Sequence, residues 1–145
     1  MVKCEICPHK NICRLDRKGN CLPDLKDEIG HYDLHGNDFK WHEKKEEMIP
    51  VDLIIGGFGS LRRHEYDNNW KCIDPNKRWR HLLYSIKKRG YDNNRRFPVD
   101  LVEFEGKYYV AGDGYHRVAI AKLLRINKIK ATVTRLERIK PRSTP

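Results

Sequence analysis

The fold is determined by residues 97–136, FPVDLVEFEGKYYVAGDGYHRVAIAKLLRINKIKATVTRL. Val99–Phe104 is predicted to form a strand. Glu105-Gly106-Lys107 is predicted to form a hairpin turn, and Tyr108–Ala111 the returning strand. The stretch therefore begins with two antiparallel strands joined by a short connection.

The same kinds of pattern predict the rest of the domain. After the hairpin, Val118–Leu124 has the pattern of a helix, and Ile129–Thr134 alternates apolar and polar residues, as in a half-exposed strand. Upstream, the apolar run Ile49–Ile55 predicts a buried strand, and residues 56–77 a long loop. A helix ending at Gly90 has apolar residues at helical spacing: Trp79, Leu82, Leu83 and Ile86. This order predicts a small α+β domain over residues 48–138, with helices packed on a mixed sheet.

A turn with two glycines separates the hairpin from the last helix: Gly112-Asp113-Gly114-Tyr115-His116-Arg117. Glycine permits a tight backbone and the close approach of a ligand, and Asp113 is predicted to cap the helix. The amides of the first helical turn would then point at an anion, which the helix dipole also favours. His116 and Arg117 add side-chain donors. The turn is therefore a candidate site for phosphate or nucleotide, and the alternative is a capped glycine turn without a ligand.

Residues 97–136 resemble the core of the ParB/sulfiredoxin superfamily. The preceding RHLLYSIKKRG, residues 80–90, is similar to the helix ending in glycine that this superfamily places there. The resemblance covers residues 48–136. It implies a small α+β fold that binds nucleotide or phosphate at the N-terminus of the helix after the turn.

Branches of this superfamily differ in the turn. The Gly-Glu-Arg-Arg stretch of ParB-type partition proteins aligns with Gly112 to Tyr115, where the glycine and the acidic character match and both arginines are missing. Sulfiredoxin has Gly-Cys-His-Arg, and Tyr115 replaces its catalytic cysteine; since a phenol cannot replace a thiolate nucleophile, the sulfiredoxin reaction is not expected. The Asp-Gly-His-His-Arg turn of the free serine kinase branch matches at four of five positions: Asp113, Gly114, His116 and Arg117.

That kinase branch transfers phosphate from a nucleotide to free serine and needs a carboxylate base outside the turn. The resemblance therefore implies His116 as a catalytic residue and a nucleotide with Mg²⁺ as ligand. Glu65 and Asp67 in the long loop are candidate carboxylates. No spacing connects Glu65 with the turn, so the alternative for Glu65 is a solvated loop charge.

Positive charge is concentrated in the second part of the chain. Residues 1–47 contain nine lysines and arginines against ten acidic residues, whereas residues 48–145 contain 21 against ten. This excess suggests a polyanionic partner such as nucleic acid, most simply DNA. The candidate nucleic-acid-binding residues lie around the end of the first long helix: Lys87, Lys88, Arg89, Arg95 and Arg96. A solvated basic surface is the alternative.

Four of the five cysteines lie in the first 21 residues: Cys4, Cys7, Cys13 and Cys21. Clustered cysteines without a secretory signal more often bind metal than form disulfides. Four thiolates suit a closed, structural zinc site, and an iron–sulfur cluster is the alternative. The sequence therefore predicts a metal-binding segment and linker over residues 1–47, the α+β domain over 48–138, and a flexible tail over 139–145.

Three functions are compatible with these features. The first is a ParB-like DNA-associated module that binds nucleotide or backbone phosphate at the turn. The second is a nucleotide-dependent phosphotransferase or hydrolase acting on a small molecule, and the third is a non-catalytic adaptor. No apolar run approaches the roughly 20 residues of a membrane-spanning helix, and no signal peptide is evident, so a cytoplasmic protein without a membrane partner is expected.

Elemental analysis of the purified protein tests the metal prediction. We expect stoichiometric zinc that is lost in Cys4→Ser and Cys7→Ser, because each change removes one thiolate ligand. Cys72→Ser is the matched control and should retain the zinc, since Cys72 lies far from the cluster in sequence. Iron together with acid-labile sulfide would instead indicate a cluster.

Overall fold

The structure is a computed structural model that describes residues 22–29, 38–59, 65–94 and 97–139. The strands are β1 Phe39–Trp41, β2 Lys45–Pro50, β3 Ile54–Gly57, β4 Val99–Phe104, β5 Lys107–Val110 and β6 Lys128–Arg138. The helices are α1 Leu25–Ile29, α2 Lys77–Arg89 and α3 Tyr115–Leu123, and a 3-10 turn, Val51–Leu53, joins β2 to β3. The predicted α+β class, with helices on a mixed sheet, is confirmed.

The strands form one mixed sheet in the order β1-β6-β4-β5-β3. β4 is parallel to β6 and antiparallel to β5, and β3 is parallel to β5. β6 is 11 residues long. Its edge away from β4 pairs with β1 and β2, both antiparallel to it.

Several local predictions are confirmed. α2 ends at Arg89, and Gly90 follows it with a φ of +83°, a left-handed conformation that favours glycine. The β4–β5 hairpin turns through Glu105 and Gly106, with φ values of +51° and +82°. In β6, Ile129, Ala131 and Val133 are buried, as the alternating pattern predicted.

The prediction of one strand over Ile49–Ile55 is wrong, because the chain leaves β2 at Pro50 and enters β3 at Ile54. β2 and β3 lie four strand spacings apart in the sheet order, about 19 Å in a flat sheet. The four residue steps from Pro50 to Ile54 can span only about 14 Å. The sheet must therefore curl.

Two strands lie where the sequence predicted a linker. β1 and β2 both pair with β6, and the predicted boundary at residue 48 lies inside β2. Phe39 is 4% exposed and its ring lies 6.3 Å from that of Phe104, so burial of its ring explains why this polar stretch forms a strand.

Of the predicted tail, Ile139 is described, and its amide donates to the Asp38 carbonyl at 2.9 Å. Residues 140–145 lie outside the described residues, and so do the four predicted metal ligands: Cys4, Cys7, Cys13 and Cys21.

The sheet has an apolar cluster on each face. One contains the inward residues of β4, β5 and β6 with α3, and α2 packs outside α3 through Trp79, Ile86 and Ile120. The other contains Leu25 and Ile29 of α1 packed with Phe104 and Tyr109. In the part of the chain that the structure describes, no helix has the length and apolar character needed to cross a membrane.

The segment before α1 is fixed to the end of β3. The Gly57 amide donates to the Pro23 carbonyl at 2.9 Å. Asp24 is 8% exposed, and its Oδ1 accepts from the amides of Lys26 at 3.0 Å and Gly59 at 2.9 Å. The carboxylate of Asp24 therefore ties α1 to the backbone that follows β3.

We expect Asp24→Ala to lower the free energy of unfolding by about 2 kcal/mol, because two backbone donors lose a charged acceptor. Asp24→Asn keeps an oxygen acceptor and should cost less. Asp92→Ala is the control, since Asp92 is exposed and accepts a single local bond from the Asn94 amide; it should stay within about 0.5 kcal/mol. Urea unfolding measures all three, and equal losses for Asp24→Ala and Asp92→Ala would contradict the role of Asp24.

Candidate functional site

The glycine turn has a backbone that needs both glycines. Gly112 and Gly114 have φ values of +94° and +128°. A Cβ on Gly114 would lie 2.8 Å from a methyl group of Val99, whereas one on Gly112 would meet nothing within 4 Å. The prediction that Asp113 caps α3 is wrong: Gly114 is the N-cap residue, no side chain caps the helix, and Asp113 is exposed. The tight packing of Gly114 on Val99 and its left-handed φ explain why glycine takes the cap position.

α3 begins where two parallel strands end. The Phe58 amide, just after β3, donates to the Val110 carbonyl at the end of β5 at 3.0 Å. The first intrahelical bond joins the Val118 amide to the Gly114 carbonyl at 2.9 Å, so the helix supplies no acceptor for the amides of its first turn. The positive end of the α3 dipole thus lies at the carboxyl ends of β3 and β5.

Tyr115 directs its side chain into the core. It is 1% exposed, and its hydroxyl donates to the Val110 carbonyl at 3.2 Å. A Cβ on Gly57 would lie 1.8 Å from this hydroxyl oxygen, so the absence of a side chain at Gly57 makes room for the phenol. The predicted part of Tyr115 in phosphate binding is thereby restricted to its backbone amide.

His116 is hydrogen-bonded to a residue that the sequence did not single out. The Tyr66 hydroxyl and Nδ1 of His116 share a hydrogen bond. Tyr66 is fully buried, whereas His116 is half-buried at the surface of the turn. The two rings meet edge-on, with centroids 6.1 Å apart. One nitrogen of His116 therefore faces the protein interior and the other lies on the opposite side of the imidazole.

Tyr66 belongs to a small hairpin inside the predicted long loop. Tyr66 bridges antiparallel to Cys72, and the Asp67 amide donates to the Lys71 carbonyl at 3.0 Å. Asp67 Oδ1 accepts from the amides of Asn69 and Lys71, at 2.8 and 2.9 Å. The structure thus gives Asp67, one of the two candidate carboxylates, a local turn-forming function.

Aromatic rings join this hairpin to α3. The rings of Tyr66 and Tyr115 are stacked at 6.4 Å, and Trp70, 6% exposed, lies 5.8 Å from Tyr66 and 6.0 Å from Tyr115. Lys122 Nζ lies 5.7 Å from the centre of the Trp70 ring and donates to the Val51 carbonyl at 2.9 Å. Burial lowers the pKa of Lys122, an effect that the carboxylate of Asp52 partly opposes.

Arg117 fixes the chain before β4. Its Nη1 donates to the Phe97 carbonyl at 2.8 Å. The guanidinium is therefore held at the start of β4, beside the turn. Arg95 and Arg96 come immediately before Phe97 in sequence but lie outside the described residues, so their predicted contribution to nucleic-acid binding stays a prediction.

Glu65 directly precedes Tyr66 and is half-buried. Its negative charge is one of the causes that raise the pKa of Cys72, after burial of the thiol. The hairpin therefore places Glu65 one residue from the partner of His116, a connection that sequence spacing did not reveal. Within the four described ranges, no three His, Cys, Asp or Glu side chains come together as a metal-ligand set.

α2 presents a continuous basic surface. The helix contains six lysines and arginines and no acidic residue. The predicted Lys87, Lys88 and Arg89 are exposed, and so are the other polar residues of this surface: Lys77, Arg78, Arg80 and His81. Tyr84, 61% exposed, lies among them, with Lys88 Nζ 5.7 Å from its ring centre. Trp79 is 8% exposed, which agrees with its place among the apolar residues at helical spacing in α2.

The sequence missed Tyr66 and Trp70 because the stretch around them is dominated by Asp, Asn and Arg. The signal that could have found them is two large aromatic residues four positions apart in a polar loop. Such residues seldom remain exposed when a core is within reach.

No protein-family model matches the chain, and no curated protein sequence does. Among solved structures the chain is similar to sulfiredoxin from Arabidopsis thaliana, at 22% identity and a TM-score of 0.40, covering 61% of this chain and 83% of that one. It is also similar to a Pnob8-like ParB-N domain, at 16% identity and a TM-score of 0.41, covering 69% of this chain and 32% of that one. At these values neither likeness bears on ligand or reaction.

We expect the Cys72 thiol to ionise at a higher pH in the folded protein than in the unfolded chain. Burial raises the pKa of this thiol, and so do the nearby carboxylates of Glu65 and Asp74. A backbone hydrogen bond at Asp74 lowers the pKa but does not cancel the rise. The alkylation rate of the Cys72 peptide against pH, followed by mass spectrometry, measures this midpoint. Glu65→Gln should move the midpoint down, whereas Asp92→Asn, at an exposed position, should leave it in place. A native midpoint at or below that in urea would contradict the prediction.

Proposed function

We propose that this protein is a DNA-associated module that binds nucleic-acid phosphates through the exposed face of α2. The observation that supports the proposal best is the composition of that face: six cations and no acidic residue in 13 consecutive helical residues. A helix has a diameter that fits the major groove of duplex DNA or lies along its backbone. Lysine and arginine side chains on one helix face neutralise phosphates and release counterions.

The exposed aromatic residue on α2 also fits this partner. Tyr84 is 61% exposed on a helix whose other aromatic residue, Trp79, is buried. An exposed tyrosine among cations can hydrogen-bond a phosphate or stack on an unpaired base. The absence of acidic residues from the helix removes a source of repulsion against a polyanion.

The second part of the proposal is that the turn at Gly112–Arg117 binds a nucleotide or a backbone phosphate. The amides of the first turn of α3, the open space at Gly112 and the His116 imidazole all favour an anion there. α2 packs on α3 through Ile120, so both surfaces belong to the same pair of helices. This part of the proposal is tested separately from DNA binding.

Fluorescence anisotropy with a short labelled duplex over a range of salt concentrations tests the role of α2. Lys87→Ala combined with Lys88→Ala should weaken binding and reduce the slope of log K against log salt by about 2, because each lost phosphate contact contributes about 0.9. Lys40→Ala combined with Lys107→Ala is the matched control, since it removes the same charge from exposed positions on β1 and β5. It should leave the slope close to that of the unaltered protein.

Two outcomes would contradict this proposal. One is the absence of binding at about 50 mM salt, where phosphate contacts are strong. The other is equal loss of affinity in the α2 and control variants, which would indicate that total charge alone matters. If neither DNA nor nucleotide binds and a partner protein co-purifies, the non-catalytic adaptor would be favoured.

A nucleotide-dependent phosphotransferase or hydrolase is the second candidate. The observation that favours it is the hydrogen bond between Tyr66 and His116 in the turn, with the carboxylate of Glu65 on the adjacent residue. It requires Mg²⁺-dependent consumption of ATP, ADP or CTP, and loss of nucleotide binding in His116→Ala and Arg117→Ala. Purified protein that neither binds nor consumes these nucleotides would exclude it.

A further inference from the structure

We infer that Tyr66 is a positioning residue that fixes the tautomer of His116, so that His116 presents an N–H donor to a phosphate oxygen and does not serve as a general base. This inference rests on the proposed phosphate site at Gly112–Arg117. To that site the inference adds the orientation and the protonated nitrogen of the His116 side chain, and it names a phosphate oxygen as the ligand atom that this side chain contacts.

The first step of the argument is the identity of the donor. A phenol O–H is a stronger hydrogen-bond donor than a neutral imidazole N–H, and an imidazole nitrogen accepts more strongly than a phenol oxygen. The hydrogen bond between Tyr66 and His116 Nδ1 is therefore best made with the tyrosine donating. A neutral imidazole whose Nδ1 accepts must hold its proton on Nε2.

The second step is the orientation of the ring. Tyr66 is fully buried whereas His116 is half-buried, and the ring of Tyr66 packs against those of both Tyr115 and Trp70. Because Nε2 lies across the imidazole from Nδ1, the Nε2–H points away from the buried hydroxyl. Tyr66 thus fixes both the position of the imidazole proton and the direction of the Nε2–H bond.

The third step concerns the ligand. The amides of the first turn of α3 are donors, the Arg117 guanidinium has donors only, and in this tautomer His116 also offers a donor. A phosphate group accepts hydrogen bonds through every oxygen, so it suits such a site. A substrate hydroxyl that must lose its proton needs an acceptor, and in this tautomer His116 Nε2 has no lone pair to offer. Any general base for phosphoryl transfer would then be another group, and Glu65 is the candidate nearest in sequence to Tyr66.

Long-range ¹H–¹⁵N spectra of protein labelled at histidine report the tautomer directly. The His116 signals are identified by their loss in His116→Gln. At alkaline pH, where imidazoles are neutral, we expect protonated Nε2 and bare Nδ1 in the unaltered chain. Tyr66→Phe keeps the ring and removes the hydroxyl, and it should give the shifts of a mixed tautomer.

Tyr109→Phe is the matched control. Tyr109 is also buried, at 1% exposed, but it packs in the cluster on the opposite face of the sheet. It should preserve the His116 tautomer even if its unfolding midpoint falls as far as that of Tyr66→Phe. The spectroscopic signature therefore separates a positioning function from a merely structural one.

Titration with inorganic phosphate, followed through the His116 signals, tests the link to the site. Tyr66→Phe should weaken phosphate binding by about three- to ten-fold, the range for one lost orienting hydrogen bond. A protonated Nδ1 in the unaltered chain, or an unchanged tautomer in Tyr66→Phe, would overturn the inference while DNA binding by α2 could still hold. The expected tautomer without any response of His116 to phosphate would overturn the phosphate function of the turn.

Discussion

The packing of Tyr115 against Gly57 is the contact on which the arrangement of the site depends. Tyr115 is the first residue of α3, and its buried ring fills the space that a side chain on Gly57 would need. Its hydroxyl is bonded to the last residue of β5. A single side chain thereby attaches the start of α3 to the ends of two parallel strands. The amides of the first helical turn are placed by this attachment, as is the neighbouring His116.

The same constraint explains the hairpin at residues 65–73. Tyr66 and Trp70 complete the packing around Tyr115, so a polar loop is drawn into the core by its two aromatic residues. Burial of large aromatic groups contributes several kcal/mol in total, of order 2 kcal/mol for each side chain. The hydroxyl of Tyr66 then meets His116 as a consequence of that packing. Site geometry and core packing are therefore made by the same residues.

The sequence predicted the elements whose causes are local. The end of α2 follows from a glycine in a left-handed conformation, the β4–β5 turn from Glu105 and Gly106, and the buried face of β6 from simple alternation. It failed where distant residues determine the outcome. Val99 leaves no room for a side chain at the cap residue Gly114, and Tyr66 meets a histidine 50 residues away in sequence.

For the candidate site, the sequence identified the turn and the basic helix but not how the turn is supported. A short motif specifies which residues follow a strand, whereas the partner of His116 depends on how a loop folds back over the helix. β1 was missed for a related reason: its three residues form a strand because β6 extends beyond the residues that pair with β2 and offers the rest of that edge to β1. Neither loop packing nor an extended partner strand leaves a periodic pattern in the segment concerned.

The cover of β3 by Pro23 and Asp24 has a practical consequence for any shortened form of the protein. Residues before 48 pair with the outer edge of β3 and with most of the β6 edge that lies away from β4. A fragment beginning at residue 48 would expose rows of backbone amides and carbonyls along two strands at once. Exposed edges of this kind pair with those of other molecules. Such a fragment would form strand-to-strand aggregates, and crystallisation or binding studies should therefore retain the chain from Leu22 onward.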